Sequence, residues 1–414
     1  MGAEAIARPG LSRAGLRRVL VTLCVTEITS WGILYYAFPV LAGEIARTTG
    51  WSGASVIAGF SVGQLVAALA GIPIGRWLDR IGPRWLMTGG SLLAVPSVVL
   101  VATAQDLAWF ITAWVLMGLS MGATLYPPAF AALTRWYGPR RVFALTVLTL
   151  AAGLASTVFA PLTALLAAHL DWRQTYLVLA GVLGVITIPG HLWGLRGTWP
   201  DPEPHDHTQP AEHRDPGQVA RSRAFVLLVV TFGLAAFTAY AVIINLVPLL
   251  TERGLTPGLA AVALGLGGAG QVLGRLGYTT LVRHTSVRTR TAVVVGAVAL
   301  TTAVLGLVTS TPVLIAASVI AGMARGVFTL LQATAVTDHW GAVHYGRLTG
   351  LLSAPLAITM SLAPWAGAAI ADGFGGYPHT FLLLAVVGAA AALLALATTP
   401  GMRPAPSRKD PDHD

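Results

Sequence analysis

The chain is poor in charge and has almost no cysteine or lysine. Only 10% of its 414 residues are charged, while 55% are hydrophobic. No soluble domain hides that share of apolar surface, so the composition points to an integral membrane protein. The single cysteine, Cys24, excludes an intrachain disulfide and leaves the redox compartment undetermined. Lys409 is the one lysine among 26 bases, a bias that suggests a GC-rich genome more than a function. No glycine-rich phosphate loop is present, and no metal-ligand or nucleophile–base spacing. ATP-driven transport and enzymatic activity are therefore not expected, and no cofactor or metal is implied. Neither end is long enough for an appended signalling domain, which argues against a membrane sensor.

What the chain does have is a succession of apolar runs. Twelve helices are expected, at about 17–43, 52–75, 84–103, 107–132, 142–168, 173–195, 223–250, 257–281, 289–309, 312–337, 346–372 and 377–398. Each reaches the roughly 20 residues that cross about 30 Å of hydrocarbon. Continuous runs of this kind exclude an outer-membrane barrel, whose strands alternate. Arg8, Arg13, Arg17 and Arg18 precede a first run too long for a cleaved signal peptide, so it reads as a retained span. The net charge of +9 is not a nucleic-acid footprint. Arginines concentrate in alternate loops, 76–84, 133–141, 196–222, 282–290 and 338–347, while the intervening loops hold Arg47, Arg173 and Arg253. That asymmetry orients a multi-pass protein of the cell membrane with both termini in the cytoplasm.

The segment 196–222 breaks the pattern with Pro200, Pro202, Pro204, Pro210 and Pro216 among acids and histidines. It reads as a polar linker between a six-helix unit at 1–195 and another at 223–400, with a tail at 401–414. His205, His207 and His213 are read as solvated linker residues rather than metal ligands. The two units look like repeats. Trp136 and Trp340 are 204 residues apart, Pro161 and Pro364 are 203, Tyr176 and Phe381 are 205, and Gln64 and Gln271 are 207. A nearly constant offset is expected of parallel half-repeats with a solute site between them.

An ionisable side chain inside a span costs roughly 2.5–3.5 kcal/mol on insertion scales, so those that persist are site candidates. Glu27, Arg275 and Arg325 are three. Arg275 can fork onto a substrate carboxylate or pair structurally with an acid such as Glu27. Glu27 is a candidate to carry a coupling proton, to pair with an arginine, or to face a polar end of the first helix. Arg325 is assigned to neither cavity nor interface. Tyr35, Tyr36, Tyr126, Asn245, Gln271 and Gln332 lie at comparable depth and are further substrate-contact candidates. Gln271 stands one helical turn from Arg275. His169 and His191 fall near span ends and read as interfacial.

The run from Gly75 to Arg84 carries Gly75, Asp79, Arg80, Gly82 and Arg84 directly after the second apolar run. It resembles the loop between the second and third helices of major facilitator transporters, with Pro83 where a base is usual. The resemblance implies an all-α membrane fold of twelve helices in two six-helix pseudo-repeats. Within that superfamily, Tyr36-Ala37-Phe38-Pro39, Trp136-Tyr137-Gly138-Pro139-Arg140-Arg141, Tyr126 and Arg275 are similar to the monocarboxylate porter and oxalate–formate antiporter branch. Arg275 matches that branch's anion-binding position. The chain departs from it at Val40 and Gln271, where porters carry a lysine and an acid, and 346–372 has no lysine. Neither type of coupling is then implied. Drug exporters carry a base in the fourth span and Gly-Pro in the fifth, but 114–118 has no base and the fifth span has Ala160-Pro161. The resemblance implies a secondary transporter of a small organic anion, such as a monocarboxylate. It would be monomeric in the bilayer and work by alternating access. Proton-coupled efflux of hydrophobic or cationic compounds, with Glu27 as the cation's partner, is the alternative. By the same resemblance Asp79 would meet the start of the eleventh helix, near Gly346, and latch the cytoplasmic side in the outward-open state.

Overall fold

The computed structural model describes residues 11–199, 216–340 and 345–398. His205, His207 and His213, most of the 196–222 linker and the tail after 398 lie outside the described residues. Ten helical stretches are long and apolar enough to cross a membrane, and none of the described residues forms a strand. Two stretches exceed a single crossing: Gly53–Ala102 with 50 residues and Leu107–Ala167 with 61. The first breaks at Gly82, whose φ of 75° is left-handed and strains any residue with a Cβ. The second turns through Gly138–Arg140, entered with Gly138 at φ 51°.

Divided at these breaks, the stretches make twelve helices. They are α1 (Arg13–Thr49), α2 (53–81), α3 (83–102), α4 (107–137), α5 (141–167) and α6 (Trp172–Gly194) in the first half. In the second they are α7 (Arg223–Glu252), α8 (Pro257–His284), α9 (Val287–Leu307), α10 (Thr311–Trp340), α11 (Tyr345–Gly373) and α12 (Tyr377–Ala397). Most ends fall within a few residues of expectation. α2 and α4 run past 75 and 132 because hydropathy marks where the bilayer ends, whereas arginine and leucine continue a helix readily in water.

Polar residues start the helices. Ser52, Asp106, Asp171, Ser222, Thr256 and Ser286 each accept the backbone N–H three residues on. Each such cap satisfies an otherwise orphaned donor and is worth about 1 kcal/mol.

Both halves use the same close crossing of small residues. A Cβ on Gly118 of α4 would stand 2.2 Å from the Gly63 carbonyl oxygen of α2. In the second half, a Cβ on Gly322 of α10 would stand 1.9 Å from the Gly267 oxygen of α8, and one on Gly326 2.1 Å from that of Gln271. Lipid gives helices no hydrophobic reason to associate, so backbone-to-backbone packing of this kind holds each half together.

The halves meet where α2 faces α11 and where α5 faces α8. Three irregularities interrupt helices of the first half. α1 passes through a π-turn at Gly32–Tyr36, which re-aims Tyr35 and Tyr36. α4 breaks at Leu125, ψ −165°, ahead of Pro127 and Pro128, which have no N–H to give. α5 breaks at Leu154, without a proline.

Candidate functional site

Call the end of the molecule that carries Gly82 and Gly138–Arg140 the basic face, and the other the far face. The α2–α11 seam is closed toward the far face. The Ala54 N–H donates to Asp372 Oδ2 at 3.3 Å and the Trp365 N–H to Ser61 Oγ at 3.1 Å. Three turns from Ser61, on the same stripe of α2, Ile72 is 69% exposed. Two turns from Trp365 on α11, Ile358 is 46% exposed. The α5–α8 seam behaves alike. Thr157 Oγ1 donates to the Gly265 oxygen at 2.8 Å and Arg275 Nη1 to the Thr149 oxygen at 2.6 Å. Two turns beyond that bond, Val142 and Val282 are exposed. The halves therefore splay toward the basic face, and Arg275 makes the last α5–α8 hydrogen bond before they part.

The buried ionisable residues gather at that vertex. Glu27 is fully buried, and neither carboxyl oxygen has a hydrogen-bond partner among the described residues. Trp31, one turn on, faces it with its own N–H outside hydrogen-bonding geometry. The Trp31 ring lies 5.3 Å from Tyr35 and 5.0 Å from Tyr126, and Tyr35 lies 5.0 Å from Tyr36. The Tyr126 phenol sits in the field of Arg275 and Glu27, and the Tyr35 phenol in that of Arg325. Arg325 is buried, and its Nε–H donates to Gln271 Oε1 at 2.8 Å. Its Nη2 and the Nε of Arg275 are buried without a hydrogen-bond partner among the described residues. No described carboxylate comes within ion-pair distance of either guanidinium.

So Glu27, Tyr35, Tyr36, Tyr126, Gln271 and Arg275 come together as candidates, and Arg325 joins them. Pairing of Arg275 or Arg325 with Glu27 does not occur. Two other candidates differ. Asn245 is buried with both amide hydrogens engaged, to the Ala241 oxygen at 2.9 Å and the Pro364 oxygen at 3.1 Å. There it ties α7 to α11, where Gly367 leaves room for the amide. Gln332 is half-buried on the Arg325 stripe of α10, two turns nearer the basic face.

Tyr240 of α7 belongs to the group and was not foreseen. Tyr36, Arg325 and Arg275 all act on its phenol. It lies 204 residues after Tyr36, the repeat offset itself, and that offset was the signal that could have found it. His191 corrects a second expectation. It is not interfacial but fully buried, with Nδ1 2.8 Å from Ser91 Oγ, because the π-turn at Gly190–Gly194 turns it onto α3. His169 is exposed, as expected of a span end. A separate cavity of about 760 Å³ lies between the halves near the far face, lined by Val40, Glu44, Arg47, Val247, Glu252 and Tyr377 among others. It includes none of the central group.

The family model for the major facilitator superfamily matches residues 23–311 and again 288–414. The chain belongs to the major facilitator superfamily. It is 23% identical over 402 residues to monocarboxylate transporter 12 of Homo sapiens, covering 88% of this chain and 75% of that one. To monocarboxylate transporter 13 of Rattus norvegicus it is 29% identical over 156 residues. That match takes in 37% of this chain and only 35% of the rat protein. The fold aligns with a bacterial homolog of the human lysosomal transporter Spinster, solved in an inward-facing and unoccupied conformation. The TM-score is 0.74 at 16% identity, over 94% of this chain and 98% of that one.

The superfamily's loop motif can now be placed. Asp79 pairs with Arg135 of α4, within its own half. The α2 and α11 stripes are exposed at this end, so the two helices have separated there. The guanidinium of Arg135 also lies 4.5 Å over the Trp199 ring, whose N–H donates to the Asp79 oxygen at 3.3 Å. A Cβ on Gly82 would come 3.2 Å from that indole. Arg84 Nε donates to the Leu192 oxygen at 2.9 Å, tying α3 to α6. Gly75 meets nothing and Arg80 is exposed.

Proposed function

We propose that the chain moves a small organic anion across the cell membrane by alternating access, with Arg275 holding the substrate carboxylate. The observation that carries this is two guanidiniums within spans, the buried Arg325 and the half-buried Arg275, with no acidic partner among the described residues. An unpaired charge within a span costs several kcal/mol, and a bound carboxylate supplies what the protein omits. Tyr126, Tyr240 and Gln271 stand where they can add hydrogen bonds, and Glu27 is the group able to carry a coupling proton. The monocarboxylate transporters among its relatives support an acid as cargo.

The Thr149 bond gives Arg275 a second part in the cycle. In the absence of substrate its guanidinium holds α8 to α5. A carboxylate competes with the Thr149 oxygen for Nη1, and that competition couples occupancy to the fit between the halves. The arginine-rich loops support a cytoplasmic basic face and cytoplasmic termini, and on that reading the splayed side faces inward.

Uptake of radiolabelled lactate and benzoate into proteoliposomes tests the reading. Saturable uptake that Arg275→Ala removes, by at least about a hundredfold for a lost bidentate contact to a charged group, is the expected result. Transport unaffected by that substitution would sink the site. Transport confined to lipophilic cations, and dependent on Glu27, would favour the exporter reading.

A further inference from the structure

We propose that Arg325 reads a second acidic group, so that the preferred cargo is a short dicarboxylate. This rests on the anion reading of the Arg275 site and narrows it.

Arg325 is not an ordinary packing arginine. It lies in the α8–α10 crossing, where Gly322 and Gly326 bring the helices to backbone contact. Among the described residues its side-chain hydrogen-bond partner is the neutral Gln271 oxygen, and its buried Nη2 has no acceptor. Arg325 is buried rather than turned to lipid, and Tyr35 of α1 and Tyr240 of α7, one from each half, lie within range of its charge. Hydrocarbon does not hold a second permanent charge there without a counter-charge.

The two guanidiniums are related through Gln271. Gln271 Nε2 and Arg275 Nη1 lie 3.9 and 3.4 Å from the point where a Cβ of Gly153 would be. The other end of the Gln271 amide accepts from Arg325. One side-chain amide therefore separates the two cationic heads, and acid groups a few bonds apart can reach both. Charge leads to the same class. Two arginines and a protonated Glu27 leave two positive charges, which a dianion cancels and a monoanion does not. When Glu27 is ionised the balance favours one negative charge less, so the proton on Glu27 and the second carboxylate belong to one load.

The test uses the purified full-length protein and three probes: succinate, monomethyl succinate and butyrate, with affinity read by calorimetry near neutral pH. Succinate is expected to bind wild type at least about tenfold more tightly than its monoester, the ordinary worth of one charge-assisted contact. Arg325→Gln should erase that preference by bringing succinate down to the affinity of its monoester, while Arg325→Lys restores part of it. The ester comparison on wild type stands even where a variant fails to fold. If monoester and butyrate bind as tightly as succinate, or the preference survives Arg325→Gln, the dicarboxylate assignment is overturned and the Arg275 reading remains. If none of the three probes binds, both readings fall together.

Discussion

A guanidinium keeps its charge at every pH a membrane protein meets, so an arginine in a span must find a partner or a function. That rule singled out Arg275 from the chain alone, and helical spacing put Gln271 one turn from it. It did not place Arg325, because sequence gives depth along a helix but not which neighbour the helix turns toward. The same gap hid the true partners of Asn245 and His191, each decided by the helix packed against it. Glu27 allows a direct test at this scale. Neither oxygen makes a well-formed hydrogen bond among the described residues, and the polar side chain that faces the carboxyl is Trp31, one turn on. Glu27→Gln is therefore expected to fold normally and to bind substrate. It should lose most of the stimulation that a proton gradient gives to uptake, while substrate exchange across a membrane without a gradient continues. Uptake with and without an imposed gradient measures this, and equal stimulation in the variant would remove Glu27 from the coupling step.

Helices were the most legible level, since twenty apolar residues admit few alternatives in a bilayer. Their irregularities were less so. The α4 break follows from Pro127 and Pro128, but the α5 break at Leu154 has no proline to announce it, and the π-turns in α1 and α6 arise in packing. Close crossings are a further property that only the assembled pair of helices reveals. Gly118 and Gly322 are indistinguishable in sequence from Gly71 and Gly277, yet a Cβ on either of the first two would overlap backbone, while the latter two meet nothing within 4 Å. Gly118→Ala and Gly322→Ala should each destabilise their half by about 1–3 kcal/mol, the usual cost of forcing an extra carbon into a packed contact. Gly71→Ala and Gly277→Ala should not. Thermal unfolding of the four variants in one detergent separates the two pairs, and equal midpoints would mean that the crossings are not as close as the fold requires.

At the scale of the molecule, the two halves carry the same ion pair with its polarity exchanged. The first places the acid on α2 and the base on α4, Asp79 with Arg135; the second places the base on α9 and the acid on α10, Arg290 with Asp338. The loop from Val282 to Arg288 lacks an acid because the second half keeps its acid on α10. Each pair braces its own half at the basic face, so neither opposes the splaying of one half from the other. What holds the halves is at the far face, where α2 meets α11 through Ala54 and Asp372. Cross-linking Ala54→Cys to Asp372→Cys, in a chain with Cys24→Ser, should therefore leave the central site reachable from the basic face and stop the cycle. Binding of a carboxylate should persist in the cross-linked protein within about a factor of two, while transport falls to background and returns on reduction. An added Ile72→Cys should react with a membrane-impermeant thiol reagent from the basic face at the rate seen without the cross-link. Transport that continues with the cross-link in place would show that the far-face seam does not open, and alternating access about the α5–α8 vertex would have to be given up.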